Sequence, residues 1–301
     1  MKVRDLFEMY SKGEGKFSAD VLTVDKFIEL AEANSPLYLK RMDKFKIYRG
    51  ASYNTALGFI NTNDFTRTSA NTQNYYTLWM DNSEDWADYP KRSKSLICTN
   101  DLSNTTNYGD SYIIIPEDNA KIGICPGEDL WYSFPAQLKY IGSANWGSSL
   151  DMFMAAVNDA FLVLDLGQPK TAAELHHALS NIETRDFEDA IKLFDSGNFP
   201  DSSPYVRWRV ESVRTLLSVM RRQKVETMFD AFKLVLDPIA NNFSATTTAK
   251  YRVQNTGAPR EVWVQGKCLI LAVDYEQMLK SDDCDKLMAF FQKHNINIEA
   301  E

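Results

Sequence analysis

Short apolar runs with strand character fall in two groups, one toward each end of the chain, and a long block of helical periodicity separates them. The first group comprises Phe45-Lys-Ile-Tyr-Arg49-Gly50-Ala51, Ser95-Leu-Ile-Cys98-Thr99, Ser111-Tyr-Ile-Ile-Ile115 closed by Pro116, and Lys121-Ile-Gly-Ile-Cys125 closed by Pro126. The second comprises Glu261-Val-Trp-Val264 and Cys268-Leu-Ile-Leu-Ala-Val273, and the link Gln265-Gly266-Lys267 predicts a hairpin between them. The block between the groups, about 149–241, opens with Asp151 to Leu166, apolar nearly all round as a buried helix is. Thr171-Ala-Ala-Glu174 is a capping box. Arg185 to Phe194 carries Phe187, Ile191 and Phe194 at helical spacing and stops at Gly197, and Tyr205 to Leu236 is the longest helical stretch. Val24 to Met42 predicts a helical lead-in within residues 1–44. Strands at both ends with helices in the middle predict an α+β fold, one domain over 1–301 with a helical insertion. The alternating β-α-β units and glycine-rich loop of a dinucleotide-binding Rossmann fold are missing from the sequence.

Charge and cysteine usage narrow the function classes. A net charge of −8 argues against a protein held on nucleic acid by a general phosphate-neutralising surface. It leaves room for a local basic strip, and Arg207, Arg214 and Arg221 recur every seven residues beside the apolar stripe Val206, Val210, Val213, Leu217 and Met220. That strip reads either as a surface for RNA, DNA or an acidic partner, or as the solvated face of a core helix. The four cysteines, Cys98, Cys125, Cys268 and Cys284, are far apart and mostly lie in apolar runs, which predicts buried thiols in a reducing compartment. The first residues lack the apolar core of a secretion signal, and no run approaches the length of a membrane span, so cytoplasmic residence and no membrane partner are expected. His176, His177 and His294 offer no chelating arrangement, and no metal site is expected.

Three segments carry chemistry. Arg49 closes a strand before Gly50 and reads either as a fixed cation suited to phosphate or carboxylate, with room at the glycine for a ligand to approach the backbone, or, taken by itself, as a surface arginine on an edge strand. Phe65-Thr-Arg67-Thr-Ser69-Ala-Asn71-Thr-Gln-Asn74-Tyr75-Tyr76-Thr-Leu-Trp79 mixes small hydroxyl and amide groups with aromatics, which suits a ribose, an amide and a flat ring, or forms an ordinary capped loop. Gly257-Ala-Pro-Arg260-Glu261-Val-Trp-Val264 brings a carboxylate into a strand after a polar loop, where its backbone is held firmly, and reads either as an accurately placed functional group or as a salt-bridged strand end.

In this order and strand context the three segments resemble the ADP-ribosyltransferase fold, in its Arg–Ser–Glu class. Arg49 matches the arginine that ends the first strand of that class, and Glu261 the glutamate that opens a late strand. Ser95-Leu-Ile-Cys98-Thr99-Asn100 stands at the strand where the class favours Ser-Thr-Ser. The stretch from Arg67 to Trp79, with Lys91-Arg92-Ser93-Lys94-Ser95 and Lys121 to Pro126, is similar to phage-encoded and toxin-like variants. The resemblance covers about 45–134 and 242–273 and implies a split mixed β-sheet core.

The same resemblance implies NAD as co-substrate and a mono-ADP-ribosyltransferase activity as a toxin or phage–host conflict effector. Its partners would be a protein or nucleic-acid acceptor and an antitoxin-like inhibitor. Glu261 and Arg49 would be catalytic. Arg49, Gly50, Arg67, Ser69, Asn74, Tyr75 and Thr99 would bind the dinucleotide, with the polar stretch of about 242–260 as the substrate-recognition loop. Pro259 stands where arginine-modifying members carry a second glutamate, so other acceptors, nucleobases among them, are open. An NAD glycohydrolase using the same site, and a catalytically inactive binding protein, are the alternatives.

Overall fold

A computed structural model of the chain describes residues 18–68, 73–134, 136, 150–199, 203–255 and 257–298. The chain divides into two compact units, one built from Met1–Ala70, Ala87–Asp129 and Phe243–Glu301, the other from Asn71–Trp86 and Leu130–Asn242. The expected helical insertion thus folds together with the short segment 71–86.

The first unit is a nine-stranded sheet. Its strands are β1 (Asp20–Val21), β2 (Ile47–Ala51), β3 (Leu57–Asn61), β4 (Leu96–Thr99), β5 (Asp110–Pro116), β6 (Lys121–Ile124), β7 (Ser244–Thr247), β8 (Glu261–Gln265) and β9 (Lys267–Ala272). They lie in the order β1-β3-β9-β5-β2-β4-β8-β6-β7. Every pairing among the described residues is antiparallel, so the expected mixed sheet is corrected to an antiparallel one. The pairing weakens at one place. β2 and β5 share five registered pairs and β4 and β8 share four, whereas β2 and β4 meet only at Tyr48↔Thr99. The sheet is therefore split between β2 and β4.

The expected hairpin at Gly266 does not form. β8 pairs with β4 and β6, while β9 pairs with β3 and β5. The chain changes sheet halves at Gly266, and β5 and β6 do so at the neighbouring Glu117–Ala120 connection. The two crossings are tied together: Glu117 N–H donates to the Lys267 carbonyl at 2.9 Å, and Lys267 N–H to Glu117 Oε1 at 3.1 Å. Periodicity and a central glycine resemble a hairpin signal, but the strands find better partners elsewhere. β1, β3 and β7 were not foreseen, being short or poor in apolar alternation.

α1 (Val24–Asn34) and α2 (Pro36–Leu39) form the lead-in, with α9 (Ser281–Lys293) beside α1 at the far end of the chain. Thr23 caps α1, and Pro36 opens α2, where its missing N–H costs nothing. Asp118, from the β5–β6 connection, accepts the Leu37 and Tyr38 N–H groups at 2.9 and 2.8 Å and so fastens the lead-in to the sheet. Phe27, Ala31, Tyr38, Leu287, Phe290 and Phe291 join Ile113, Ile114, Ile270 and Leu271 in one buried cluster.

The second unit is helical: α3 (Tyr75–Asn82), α4 (Leu150–Val163), α5 (Ala172–Asn181), α6 (Thr184–Asp195), α7 (Pro204–Gln223) and α8 (Met228–Val235). The Thr171–Glu174 capping box is present at α5. The long stretch expected from Tyr205 to Leu236 is two helices, because Lys224 turns left-handed (φ 57°) and Thr227 caps a new helix. Arg214 pairs with Asp195 and Glu211, and Arg221 with Glu188 at 2.5 Å. The strip on α7 is thereby largely offset by acids of α6 and of its own helix. No helix among the described residues is long and apolar enough to cross a membrane. The four cysteines are free thiols, three of them buried.

Gly266 has φ 143°, and a Cβ there would lie 2.9 Å from the Ala120 Cβ and 3.0 Å from Glu117 Oε1. Gly266→Ala is expected to destabilise the protein by about 1–3 kcal/mol through backbone strain and crowding at the crossing. Denaturant unfolding measures this, and an unchanged midpoint would contradict the account of the crossing.

Candidate functional site

Three of the residues singled out in the sequence, Arg49, Thr99 and Glu261, group around the split in the sheet. Thr99 of β4 is registered with Glu261 of β8 on one side and with Tyr48 of β2 on the other, and Arg49 follows Tyr48. With neighbouring strands roughly 5 Å apart, three adjacent strands bring Arg49, Thr99 and Glu261 into one small region. All three are buried, at 5%, 9% and 6% exposure.

Arg49 explains how the split is tolerated. Extending the Tyr48↔Thr99 register would set Gly50 opposite Ile97, with a backbone hydrogen bond available to that stretch. The strands part instead, and Arg49 Nη1 donates to the Ile97 carbonyl while its Nε donates to Tyr53 Oη at 3.0 Å. A side chain thus satisfies a carbonyl that the ladder leaves behind. The room expected at Gly50 is already taken: a Cβ there would sit 2.1 Å from the Thr105 carbonyl oxygen and 2.8 Å from the Tyr108 Cβ. Close approach of the helical turn Leu102–Tyr108 is sufficient reason for glycine at this position.

Glu261 is the most heavily engaged group. Its Oε1 accepts from Arg92 Nη1 at 2.6 Å and from Trp263 Nε1 at 2.5 Å, with the Cys125 thiol at 3.8 Å. Glu261 and Trp263 project to the same side of β8 because side chains alternate along a strand. The Arg92 guanidinium lies over the Trp263 ring, Cζ 4.8 Å from the centroid, and is 4% exposed. One arginine therefore stacks on an aromatic face and neutralises a carboxylate, a combination its planar, delocalised charge permits. The backbone of Glu261 is fixed as well: its N–H donates to Gly127 O and its carbonyl accepts from Cys125 N–H, both at 2.9 Å.

The turn that supplies Arg92, Arg92–Lys94, is docked on the end of β8 and on the segment after β3. Lys91 N–H donates to Gln265 Oε1 at 2.8 Å, Lys94 Nζ to Thr66 Oγ1 at 2.9 Å, and Arg67 N–H to the Ser93 carbonyl at 2.7 Å. Arg67 is thus brought beside this turn, at partial exposure. At the other end of β4, Asn100 takes the place of the expected serine and has a different task. Its amide donates to the Gln254 carbonyl at 2.9 Å and its Oδ1 accepts from Arg260 N–H at 2.6 Å. Asn255 in turn donates to the carbonyls of Asn100 at 2.7 Å and Lys46 at 2.8 Å, and accepts from Lys46 N–H at 2.7 Å. The two asparagines hold the loop preceding Glu261 against β2 and β4. The first part of the stretch expected to be a recognition loop is strand β7.

The remaining sequence candidates are placed otherwise. Ser69 lies outside the described residues. Asn74 and Tyr75 belong to the helical unit, where they begin α3. Tyr75 is fully buried, edge-on to Phe161 at 5.3 Å with its hydroxyl donating to Asn158, and burial pushes its phenol up to about 12. It serves as a core residue there. Tyr76 is likewise buried, edge-on to Trp131 at 5.1 Å. No group of His, Cys, Asp and Glu suited to a metal ion occurs among the described residues.

Arg92, Trp263, Asn100 and Asn255 were not read from the sequence as site residues. Trp263 had a signal, standing two residues after Glu261 on a strand. Arg92 stood in a stretch drawn into the family resemblance, but nothing in the solvated-turn composition of Lys91-Arg92-Ser93-Lys94 marked its side chain as buried.

Removing Arg92 leaves Glu261 as a buried, uncompensated charge, so Arg92→Met is expected to cost about 3–5 kcal/mol. Adding Glu261→Leu removes the stranded charge and is expected to recover most of that loss. Chemical denaturation of the two single variants and the double variant measures the coupling, and purely additive effects would contradict a buried pair.

No family model matches the chain, and neither a curated protein nor a solved structure is significantly similar to it.

Proposed function

We propose that the protein is an enzyme that cleaves NAD at the nicotinamide–ribose bond and transfers ADP-ribose to a macromolecular acceptor, protein or nucleic acid. The observation that carries this reading is the register Tyr48↔Thr99↔Glu261, with Arg49 adjacent: three segments far apart in sequence meet on neighbouring strands at the split. Their resemblance to the Arg–Ser–Glu class of ADP-ribosyltransferases gives the meeting a chemical meaning.

The reaction asks for a carboxylate fixed near a developing positive charge. The bond from the ribose anomeric carbon to the nicotinamide nitrogen breaks, its electron pair leaves with nicotinamide as a neutral ring, and the ribose becomes oxocarbenium-like. Glu261 accepts a hydrogen bond from the ribose 2′-hydroxyl and stabilises that charge. The acceptor then bonds to the anomeric carbon and releases its proton. Water as acceptor gives ADP-ribose, which is the glycohydrolase reading of the same site.

Thr99 shares the face of Glu261, whereas Arg49, one residue past the registered Tyr48, starts on the other face and would reach the dinucleotide through the parting between β2 and β4. For Arg49 to bind a phosphate, its guanidinium has to exchange the Ile97 carbonyl or Tyr53 hydroxyl for that oxygen. A phosphate offers the guanidinium an ionised acceptor in place of a neutral carbonyl or hydroxyl. The toxin or conflict setting, an inhibitor partner and cytoplasmic residence belong to this proposal and follow the family resemblance.

Glu261→Gln keeps an acceptor oxygen for Arg92 and Trp263 but loses the charge. It is expected to stay folded with reduced stability, and to lose nicotinamide release and label transfer from NAD by at least about 100-fold. Labelled NAD incubated with a cell lysate reads the outcome, and protease or nuclease release of label names the acceptor class. Full activity in the variant would remove Glu261 from the chemistry.

A further inference from the structure

We propose that Arg92 is a positioning residue for the cleavage step, setting the orientation of the Glu261 carboxylate without touching NAD. This rests on the NAD-cleaving reading above. A buried ion pair is an expensive way to hold two strands together, since apolar side chains of similar volume usually serve as well or better. Here the cost is met in a particular geometry. Arg92 Nη1 at 2.6 Å and Trp263 Nε1 at 2.5 Å converge on the same carboxylate oxygen, Oε1. Two donors on one oxygen resist rotation of the carboxylate about its terminal bond.

The donors are themselves fixed. Arg92 lies over the Trp263 ring, and the flanking backbone is tied down through Lys91 to Gln265 and through Ser93 to Arg67. Stacked on the Trp263 indole with its Nη1 on Glu261 Oε1, Arg92 is placed to act through Glu261.

Such an arrangement suits a charge that must neither turn nor be quenched by solvent while the anomeric carbon–nitrogen bond breaks. In that step the bonding pair leaves on nicotinamide, and the acceptor that captures the ribosyl cation loses a proton. Preorganised charge stabilises the transition state more than bound NAD, so its loss falls on kcat. Lysine retains the positive charge but has neither a planar fork nor a stacking face, so it restores neutralisation and only part of the orientation.

The test uses the full chain and its Arg92→Lys and Arg92→Gln variants, with nicotinamide release from NAD measured per folded molecule and the folded fraction taken from circular dichroism. The expected result is a kcat lower by about 100-fold in Arg92→Gln and by about 10-fold in Arg92→Lys, with KM for NAD within about threefold of the parent. A purely structural arginine would lower the melting temperature and leave kcat per folded molecule intact, which would overturn the proposal. A raised KM with unchanged kcat would also overturn it, because Arg92 would then be binding NAD. If Arg92→Gln does not fold, Arg92→Lys decides alone on the same criterion. An unsubstituted chain that releases no nicotinamide would instead defeat the NAD-cleaving reading itself.

Discussion

A carboxylate inside a β-sheet has to be matched by a cation, and that requirement organises the region around Glu261. The desolvation cost of burying one charge amounts to several kcal/mol, so Glu261 at 6% exposure is tenable because Arg92 reaches it. Arg92 comes from the turn that feeds β4, and β4 is the strand registered against β8. Lys91, donating to Gln265, fastens that turn to one end of the β4–β8 ladder, Arg92 reaches from it along the ladder to Glu261, and the Asn100–Asn255 clamp holds the other end. The Thr99↔Glu261 pair is the last of the ladder, next to that clamp. The carboxylate is held by its strand, its partner turn and the loop before it.

The second constraint is the split between β2 and β4. A sheet that parts must account for the backbone groups it leaves, and Arg49 answers for the Ile97 carbonyl. The same parting separates the two halves of the sheet near Glu261, and the chain crosses between halves at Gly266 and at Glu117–Ala120. Consecutive strands then seldom pair. The one consecutive pair among the described residues, β6 and β7, has most of the helical unit's sequence between its members, with Ile124 registered to Ser244. An insertion that leaves and returns at paired strand ends disturbs the sheet little, which is how one fold accommodates so long an interruption.

What was legible in the sequence follows from how local each signal is. Strands β2, β5, β6 and β8 were visible because alternating or continuous apolar runs ended at proline or glycine, β4 and β9 because their apolar runs are short and bounded by polar residues, and α5 because its capping box spans four residues. The apparent hairpin at Gly266 misled because a turn signal says nothing about which partners compete for the strands. The break in the long helix at Lys224 was hidden because a lysine in the left-handed region leaves no compositional mark. The placement of Arg49, Thr99 and Glu261 on strands was legible from the apolar runs around them. Arg92 was not, because its burial depends on a turn docking against a strand some 170 residues later. The hydroxyl and aromatic cluster at 65–79 resolved into two roles: its beginning lies along the Arg92 turn, and Tyr75 with Tyr76 sits in a helical core.

The central claim is that NAD places its nicotinamide ribose against Glu261, and a crystal structure with a non-hydrolysable NAD analogue tests it most directly. The account predicts the ribose 2′-hydroxyl within hydrogen-bonding distance of the Glu261 carboxylate, a phosphate oxygen on Arg49, and Arg92 still seated over Trp263. An analogue bound elsewhere on the molecule, with the surroundings of Glu261 unchanged, would contradict it.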